Sequence, residues 1–441
     1  LKPLQKEMAQ WVSDYPILKE ILSYHQVTWA NPHTTVESLH DIPVKQDDIT
    51  DAMARWERFA PFLSTISQDV KKTAGKIDSS LKEIAKMKTA LIHHYKQDFP
   101  GRLFLKCDHF LPLTGSIKAR GGIYEILKFA ETIAIEHELL TKHDNYQVLN
   151  EARFKDLFSK YTIGVGSTGN LALSIGYISA KIGFRVNVYM SKDAKQWKKD
   201  SLRKQGVNVV ESAGDYNEAV AEGRKLTNQD PNGYFVDDEN SIDLFLGYST
   251  AALQLKEQLT EQGIRVDEEN PLYVYLPCGV GGAPGGITFG LKSVFGPHVH
   301  CYFAEPTHAP SMLLGLLTGA HHQVHVNDFG IDGITAADGL AVGRASRFAS
   351  NVADHLVDGI YTIEDKELYK LVALLTKSGL DDRLELSASA SLLGPTMLPK
   401  TVELSDQATH IAWSTGGGIV PANYFFEDLQ KGKKYLSIEN T

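Results

Sequence analysis

Apolar positions in the first hundred residues recur at helical spacing; further along they gather into short runs. Over 51–74, Met53, Trp56, Phe59, Phe62 and Leu63 share a face at a 3.6-residue period, which predicts a helix, and 81–94 repeats that character. Pro32, Pro43 and Pro61 punctuate this polar, mostly helical part. At 102–106 the run Arg-Leu-Phe-Leu-Lys predicts a short strand. A long helix is expected over 116–140, with Ile123, Ile126, Leu127, Ala130 and Ala134 as its apolar stripe.

From Tyr161 onward, short apolar runs alternate with amphipathic stretches. Strands are expected at 161–166, 184–190, 207–212 and 234–238, and a second series at 271–277, 298–306, 361–363 and 410–416. Strand–helix alternation predicts an α/β fold with parallel sheet. Two series predict two domains, each with a mainly parallel twisted sheet flanked by helices. The expected division joins 1–112 to 241–441 in a larger domain and leaves 113–240 as a smaller one. Ligands of such folds sit at the carboxyl ends of strands, so the loops after the strands are where chemistry is sought.

Composition narrows the classes. A chain of 441 residues is too long for one ordinary core. A net charge of -9 without any Lys/Arg run argues against nucleic acid, which needs clustered cations. Cys107, Cys278 and Cys301 lie far apart with no CxxC pair, which argues against a zinc cluster or a disulfide framework and for a reducing compartment. The longest near-apolar stretch, 311–320, is well short of the ~20 residues of a membrane span. The first residues lack a signal-peptide apolar core. A soluble, cytoplasmic protein without a membrane partner is expected.

Four loops carry unusual residues. In Thr114-Gly115-Ser116-Ile117-Lys118-Ala119-Arg120-Gly121-Gly122, Ser116 is a good N-cap and places Lys118 in the first helical turn. The positive end of the helix dipole there favours the neutral, nucleophilic amine. An ordinary solvated lysine is the plainer alternative. Gly164-Val165-Gly166-Ser167-Thr168-Gly169-Asn170 follows a strand and opens a helix. It is a formal GxGxxG, with Lys192 and Asp193 near the place of a ribose-binding acid, so a dinucleotide is one reading. Its hydroxyls and amide beside a helix N-terminus equally suit a carboxylate or phosphate. Gly279-Val280-Gly281-Gly282-Ala283-Pro284-Gly285-Gly286 holds five glycines in eight residues directly after a strand, which lets backbone N–H groups converge on a phosphate. No Gly-Lys-[Ser/Thr] follows, so it is not a P-loop. Ser414-Thr415-Gly416-Gly417-Gly418 sets hydroxyls beside a glycine turn. His321, His322 and His325 could mimic a metal site, but lack the frame of one, and loop histidines are the simpler reading.

Taken together and in this order, the four loops resemble the tryptophan-synthase-type (fold type II) family of pyridoxal-phosphate (PLP) enzymes. Ser116-Ile117-Lys118-Ala119-Arg120 resembles the family's Schiff-base lysine segment. Ser167-Thr168-Gly169-Asn170 resembles its substrate-carboxylate loop, whose Asn contacts the pyridoxal 3-oxygen. Gly279, Val280, Gly281, Gly282 and Ala283 resemble its phosphate loop, and Thr415 falls where a hydroxyl stands beside the pyridine nitrogen. GSIKARGGIYE, GSTGNLALSIG, YLPCGVGG, AADGLAVGRAS and STGGG are similar to stretches of those members that dehydrate D-serine. Two departures stand out. Ala283 replaces a glycine, which is tolerable only if φ is negative there. The segment Leu384-Glu385-Leu386-Ser387-Ala388 lacks a Pro expected before the Ser.

The resemblance implies PLP in a cleft between the two domains and β-elimination of water and ammonia from D-serine. L-threonine or L-serine dehydration, or β-replacement, is the alternative it leaves. It implies Lys118, Thr168 and Asp238 as catalytic groups and Ser167, Thr168, Gly169 and Asn170 as the substrate-carboxylate site. Of the acids Asp237 and Asp238 that end a strand, Asp238 is the expected partner of the reacting groups; a solvated turn is the alternative. A monovalent cation, K+ or Na+, is expected at Glu305, Ala309, Ser311, Leu340 and Val342, whose oxygens suit a hard ion. A monomer is expected.

Overall fold

The computed structural model describes residues 8–35, 39, 42–167, 169–192, 194–212, 216–380, 382–399 and 401–438. Its strands, in chain order, are β1 (Thr28–Ala30), β2 (Leu81–Glu83), β3 (Arg102–Cys107), β4 (Thr162–Gly166), β5 (Arg185–Ser191), β6 (Asn208–Ser212), β7 (Gly233–Val236), β8 (Leu272–Pro277), β9 (Val299–Pro306), β10 (Gly359–Ile363) and β11 (Thr409–Ser414). Two compact units result: 1–46, 79–110 and 251–441 form one, and 47–78 with 111–250 form the other.

The first unit is built on a sheet of order β1-β10-β9-β8-β11-β3-β2. From β10 to β3 every pairing is parallel, and the two edge strands pair antiparallel. Strands β8, β10 and β11 are buried at every position. That is why none of them shows an alternation of apolar and polar residues: helices cover both faces of a parallel sheet, and neither side alternates with water. On one face Leu103, Leu105, Tyr275 and Ala412 pack with Leu368, Leu371 and Leu375 of the helix Asp365–Lys377.

Two expectations for this unit need correction. The helical reading of 81–94 fails at its start, where Leu81–Glu83 pairs with β3, Leu81 opposite Lys106; the helix itself is Ala85–Tyr95. The strand β1, against β10, was not expected at all. Both are three-residue edge strands, too short to show a period, and tertiary pairing decides them.

The second unit holds a fully parallel sheet of order β6-β5-β4-β7. Gly164 and Gly166 of β4 have a packing reason. A Cβ at Gly164 would stand 2.0 Å from Thr227 Oγ1, and one at Gly166 2.7 Å from Val220 Cγ2, both on the helix Tyr216–Gln229. The glycine spacing that suggested a dinucleotide therefore seats a helix on a strand.

The segment 47–78, expected with the larger domain, clusters with 111–250. The period seen over 51–74 resolves into helices Gln46–Ile66 and Gln68–Lys72. Arg55 Nε lies 2.6 Å from Glu131 Oε2, Arg58 Nε 2.8 Å from Glu131 Oε1, and Tyr146 donates to the same carboxylate at 2.5 Å. Glu131 is 2% exposed, so these partners hold its carboxyl below the usual range despite the opposing cost of burial. Glu131→Ala takes the acceptor from Arg55 Nε, Arg58 and Tyr146 but leaves Arg55 its contacts with Asp51 (3.0 Å) and the Tyr124 hydroxyl (2.7 Å), and should cost about 3 kcal/mol in urea unfolding, the lower end for a broken buried pair. A loss below ~1 kcal/mol would show that Asp51 and Tyr124 suffice for Arg55.

Candidate active site

In the second unit three loops converge. Val165 of β4 stands opposite Val236 of β7, so the loops after these parallel neighbours leave the same edge side by side. One is Ser167–Asn170, the other Asp237–Asn240. The third, Thr114–Lys118, is tied to the first by the hydrogen bond Ser174 Oγ to Thr114 Oγ1, 3.2 Å.

Lys118 does not sit in the first turn of a regular helix. Ser116 Oγ accepts the Lys118 N–H at 3.2 Å, and a π-helical turn, Ala119–Ile123, intervenes before the α-helix Tyr124–Glu136. The single helix expected over 116–140 is thus shorter and begins with a widened turn, a local distortion that periodicity does not report. Arg120 is buried, with Nη2 3.0 Å from Asp78 Oδ1, and anchors the loop.

Lys118 Nζ lies 3.6 Å from Asp238 Oδ2 and 5.8 Å from the centre of the Tyr248 ring. Asp238 Oδ1 is buried and has no hydrogen-bond partner among the described residues. The neighbouring Asp237 is spent on its own turn: it accepts the N–H of Glu239 and pairs with Arg224 Nη2 at 3.1 Å. The two acids therefore separate into a structural one and one that faces the amine. Tyr248 belongs to the helix Ile242–Ser249, which packs directly on the π-helical turn. A Cβ on Gly121 would stand 2.4 Å from the Tyr248 ring, and one on Gly247 2.5 Å from the Arg120 carbonyl. Burial pushes the Tyr248 hydroxyl well above the phenol range, so it stays a neutral floor.

Gly169 caps the helix Asn170–Ile182, and its N–H donates to Ser167 Oγ at 3.2 Å. The first-turn N–H groups of this 13-residue helix have no acceptor within the helix and lie at its positive dipole end, a setting for a carboxylate. Thr168 and Asp193 lie outside the described residues.

In the first unit the relevant loops again share one edge, since β9, β8, β11 and β3 are parallel neighbours. Gly281, at φ +103, leads from β8 into the helix Gly282–Phe295. A Cβ there would be 2.2 Å from Met312 Cε, and one at Gly279 2.9 Å from the Gly339 carbonyl, so the loop is a cradle only glycine can form. Ala283 lies within the helix and is not among the positive-φ residues, so its methyl group is tolerated. Pro284, lacking an N–H, costs nothing in a first turn whose donors are unpaired anyway. The donor set fits a phosphate.

Thr415 follows Ser414 at the end of β11. The strand end is fixed by buried Asp108, which accepts from Trp413 Nε1 at 2.8 Å and Ser79 Oγ at 2.6 Å. His109, next in sequence, is buried with neither ring nitrogen hydrogen-bonded among the described residues; Nε2 lies 3.9 Å from Asp382 Oδ2, and burial pushes the ring down to about 4. The sequence offered no sign of it.

Glu305, in β9, is fully buried; its oxygens accept the N–H groups of Met312 (2.7 Å) and Leu313 (2.8 Å). Burial pushes its carboxyl up to about 8, against these two hydrogen bonds. The helix it caps begins at Ser311. A Cβ on Gly279 would lie 3.4 Å from Val342 Cγ2 and 3.8 Å from Leu340 Cα, so the glycine loop adjoins the Leu340–Val342 part of the expected cation set. Of the weighed histidines, His325 caps a 3-10 turn and His321 Nε2 lies 3.8 Å from Asp354 Oδ2.

Comparison with known proteins gives a family, close relatives and a fold. The family described as "Pyridoxal-phosphate dependent enzyme" matches residues 85–416. The chain is 53% identical over 430 residues to a Shouchella clausii protein named "Probable D-serine dehydratase", covering 97% of each. It is 53% identical to one of the same name from Carboxydothermus hydrogenoformans, over 95% of this chain and 98% of that one. Among solved structures, diaminopropionate ammonia lyase from Escherichia coli in complex with D-serine superposes with a TM-score of 0.71 at 18% identity, over 92% of this chain and 97% of that one. That likeness is one of fold.

Proposed function

The chain belongs to the pyridoxal-phosphate dependent enzyme family, and from that premise we propose that it is an ammonia-lyase that converts D-serine to pyruvate and ammonia. The observation that carries the reading is Asp238 Oδ2 set 3.6 Å from Lys118 Nζ, in a chain that shares half its residues with relatives named for that reaction.

Lys118 would hold PLP through its amine, Asn170 would meet the 3-oxygen, the N–H groups of Gly279 to Ala283 the phosphate, and Thr415 the ring nitrogen. Bound there, PLP supplies an electron sink for the substrate Cα. The chain's own residues do the rest. The N-terminus of Asn170–Ile182, with Ser167, Thr168 and Gly169, takes the substrate carboxylate. The Lys118 amine removes the Cα proton, and Asp238 exchanges a proton with that amine and meets the departing β-hydroxyl. Water leaves and water returns, so the net loss is ammonia. Thr415, being neutral, does not hold the ring nitrogen protonated as a carboxylate would. That favours loss of the β-substituent over transamination.

Turnover of both enantiomers tests the hand. D-serine should exceed L-serine in kcat/KM by at least ~100-fold, since a site built for one arrangement of polar groups leaves them unpaired with the other. A preference for L-serine or L-threonine would replace the substrate and keep the reaction class.

The set Glu305, Ala309, Ser311, Leu340 and Val342 is assigned to K+ or Na+. A carboxyl raised to about 8 is mostly protonated at neutral pH, and a cation requires it ionised. Affinity should therefore climb with pH and level off above about 8, with close to one proton released per ion at pH 7. Titration calorimetry in buffers of different ionisation heat measures that proton. Binding that is flat from pH 6 to pH 9 would remove Glu305 from the set.

Three free cysteines, all buried, and mild acidity support a cytoplasmic enzyme. No helix among the described residues is long and apolar enough to cross a membrane. A monomer is assigned, and sedimentation velocity checks it.

A further inference from the structure

Glu125 lies two helical turns beyond Lys118, on the helix Tyr124–Glu136, and the chemistry above does not use it. It is 2% exposed. Its two oxygens are taken by two hydroxyls: Tyr234 donates to Oε1 at 2.8 Å and Ser241 to Oε2 at 2.6 Å. Tyr234 is in β7, just before the turn that carries Asp238. Ser241 closes that turn and caps the helix Ile242–Ser249 by accepting the Leu244 N–H at 3.0 Å. One carboxyl on the helix that follows the Lys118 turn therefore grips the Asp238 turn at both ends.

We propose that Glu125 is a positioning residue that holds Asp238 against the Lys118 amine. The inference rests on the role assigned to Asp238 above. A salt link of 3.6 Å between two side chains each about a fifth exposed would not fix its own geometry. The buried clamp does, because both hydroxyls would lose their acceptor if the turn drifted. The groups facing Glu125 are Tyr234 on β7, Asp238 in the turn, Asp243 and Tyr248 on the helix that follows, and Ser241 at its cap. Burial, with Asp243 and Asp238 adding to it, pushes Glu125 up to about 7 against the two hydroxyl bonds. Its grip therefore does not require a full negative charge, and a carboxamide can replace it by accepting one hydroxyl and donating to the other.

The test uses Glu125→Ala, Glu125→Gln, the pair Tyr234→Phe with Ser241→Ala, Asp238→Asn, and Glu125→Ala combined with Asp238→Asn. Hydrogen exchange of the 237–244 peptide is followed in the cofactor-free and PLP-loaded proteins, with kcat and KM for D-serine in the loaded ones. Glu125→Ala should speed that exchange in both states and lower kcat on the order of a hundredfold, the cost of a ~1 Å misplacement. KM should move less than about threefold. Glu125→Gln should restore most of the rate, and the Tyr234/Ser241 pair should reproduce Glu125→Ala. Added to Asp238→Asn, Glu125→Ala should cost almost nothing further, since it acts through that residue. Unchanged exchange, or losses that multiply in the double variant, would overturn the inference. Full turnover in Asp238→Asn would instead remove the role of Asp238, and the exchange result would still decide whether Glu125 holds the turn. Should Glu125→Ala fail to fold, Glu125→Gln and the hydroxyl pair decide the matter by the same readouts.

Discussion

Replacing Lys118 by alanine should abolish the visible cofactor band and lower turnover of D-serine by at least ~10⁴-fold, the upper end of what one positioned acid–base group contributes. The size follows from the residue having two tasks, holding the cofactor and moving the Cα proton, so both fail together. Stability should hardly change. The Lys118 side chain is 22% exposed, and its contacts include a 3.6 Å salt link to Asp238 and the face of the Tyr248 ring. Such a pair contributes about 0–1 kcal/mol. Lost activity in a protein of unchanged melting temperature would thus point to chemistry, not to folding. A small primary amine added to the variant should return part of the rate, because the missing group is an amine beside an intact Asp238. Retention of the band in the variant would move the cofactor to another lysine.

Asp238→Asn should separate the two tasks. The amide has the shape of the acid, so the turn and the Tyr248 floor should persist and the band should remain. What is lost is a carboxylate that exchanges a proton with Lys118 and meets the leaving hydroxyl. The expected fall in kcat is ~10²–10⁴-fold with KM within a few-fold, the pattern of an interaction made mainly in the transition state. Asp237→Asn serves as the control: Asp237 holds Arg224 and its own turn, and its loss should act through stability. If Asp237→Asn proves the more damaging to kcat, the assignment of the two acids is reversed.

The long parallel strands were legible because burial on both faces favours short apolar runs, uninterrupted in β8 and centred on Ile411-Ala412-Trp413 in β11. The edge strands β1 and β2 were not, because three residues carry no period and their pairing with β10 and β3 is a tertiary decision. The break at Lys118 was hidden for another reason. Ile123, Ile126 and Leu127 keep a helical stripe, and nothing in it announces that the turn before Tyr124 is widened.

The site divides in the same manner. Lys118, Asn170, the glycine loop and Thr415 could be proposed from the sequence because their loops carry glycines, hydroxyls and an amide that ordinary loops do not need. Gly164 and Gly166 misled for the converse reason: their lack of side chains serves Thr227 and Val220 of a packed helix. Glu125 and Tyr248 left no trace in the pattern. Within the helix expected over 116–140, Glu125 reads as one more polar position, and only the approach of Tyr234 and Ser241 makes it a buried clamp. His109 is similar, since its burial beside Asp382 depends on a segment more than two hundred residues away.

The central claim is tested most directly by loading the purified protein with PLP, adding D-serine, and following pyruvate through a coupled reductase while ammonia is assayed in parallel. Pyruvate and ammonia in equal amounts, absent with Lys118→Ala, are the expected result. A cofactor band without pyruvate from either enantiomer of serine would contradict the elimination, and leave a PLP enzyme whose reaction is another.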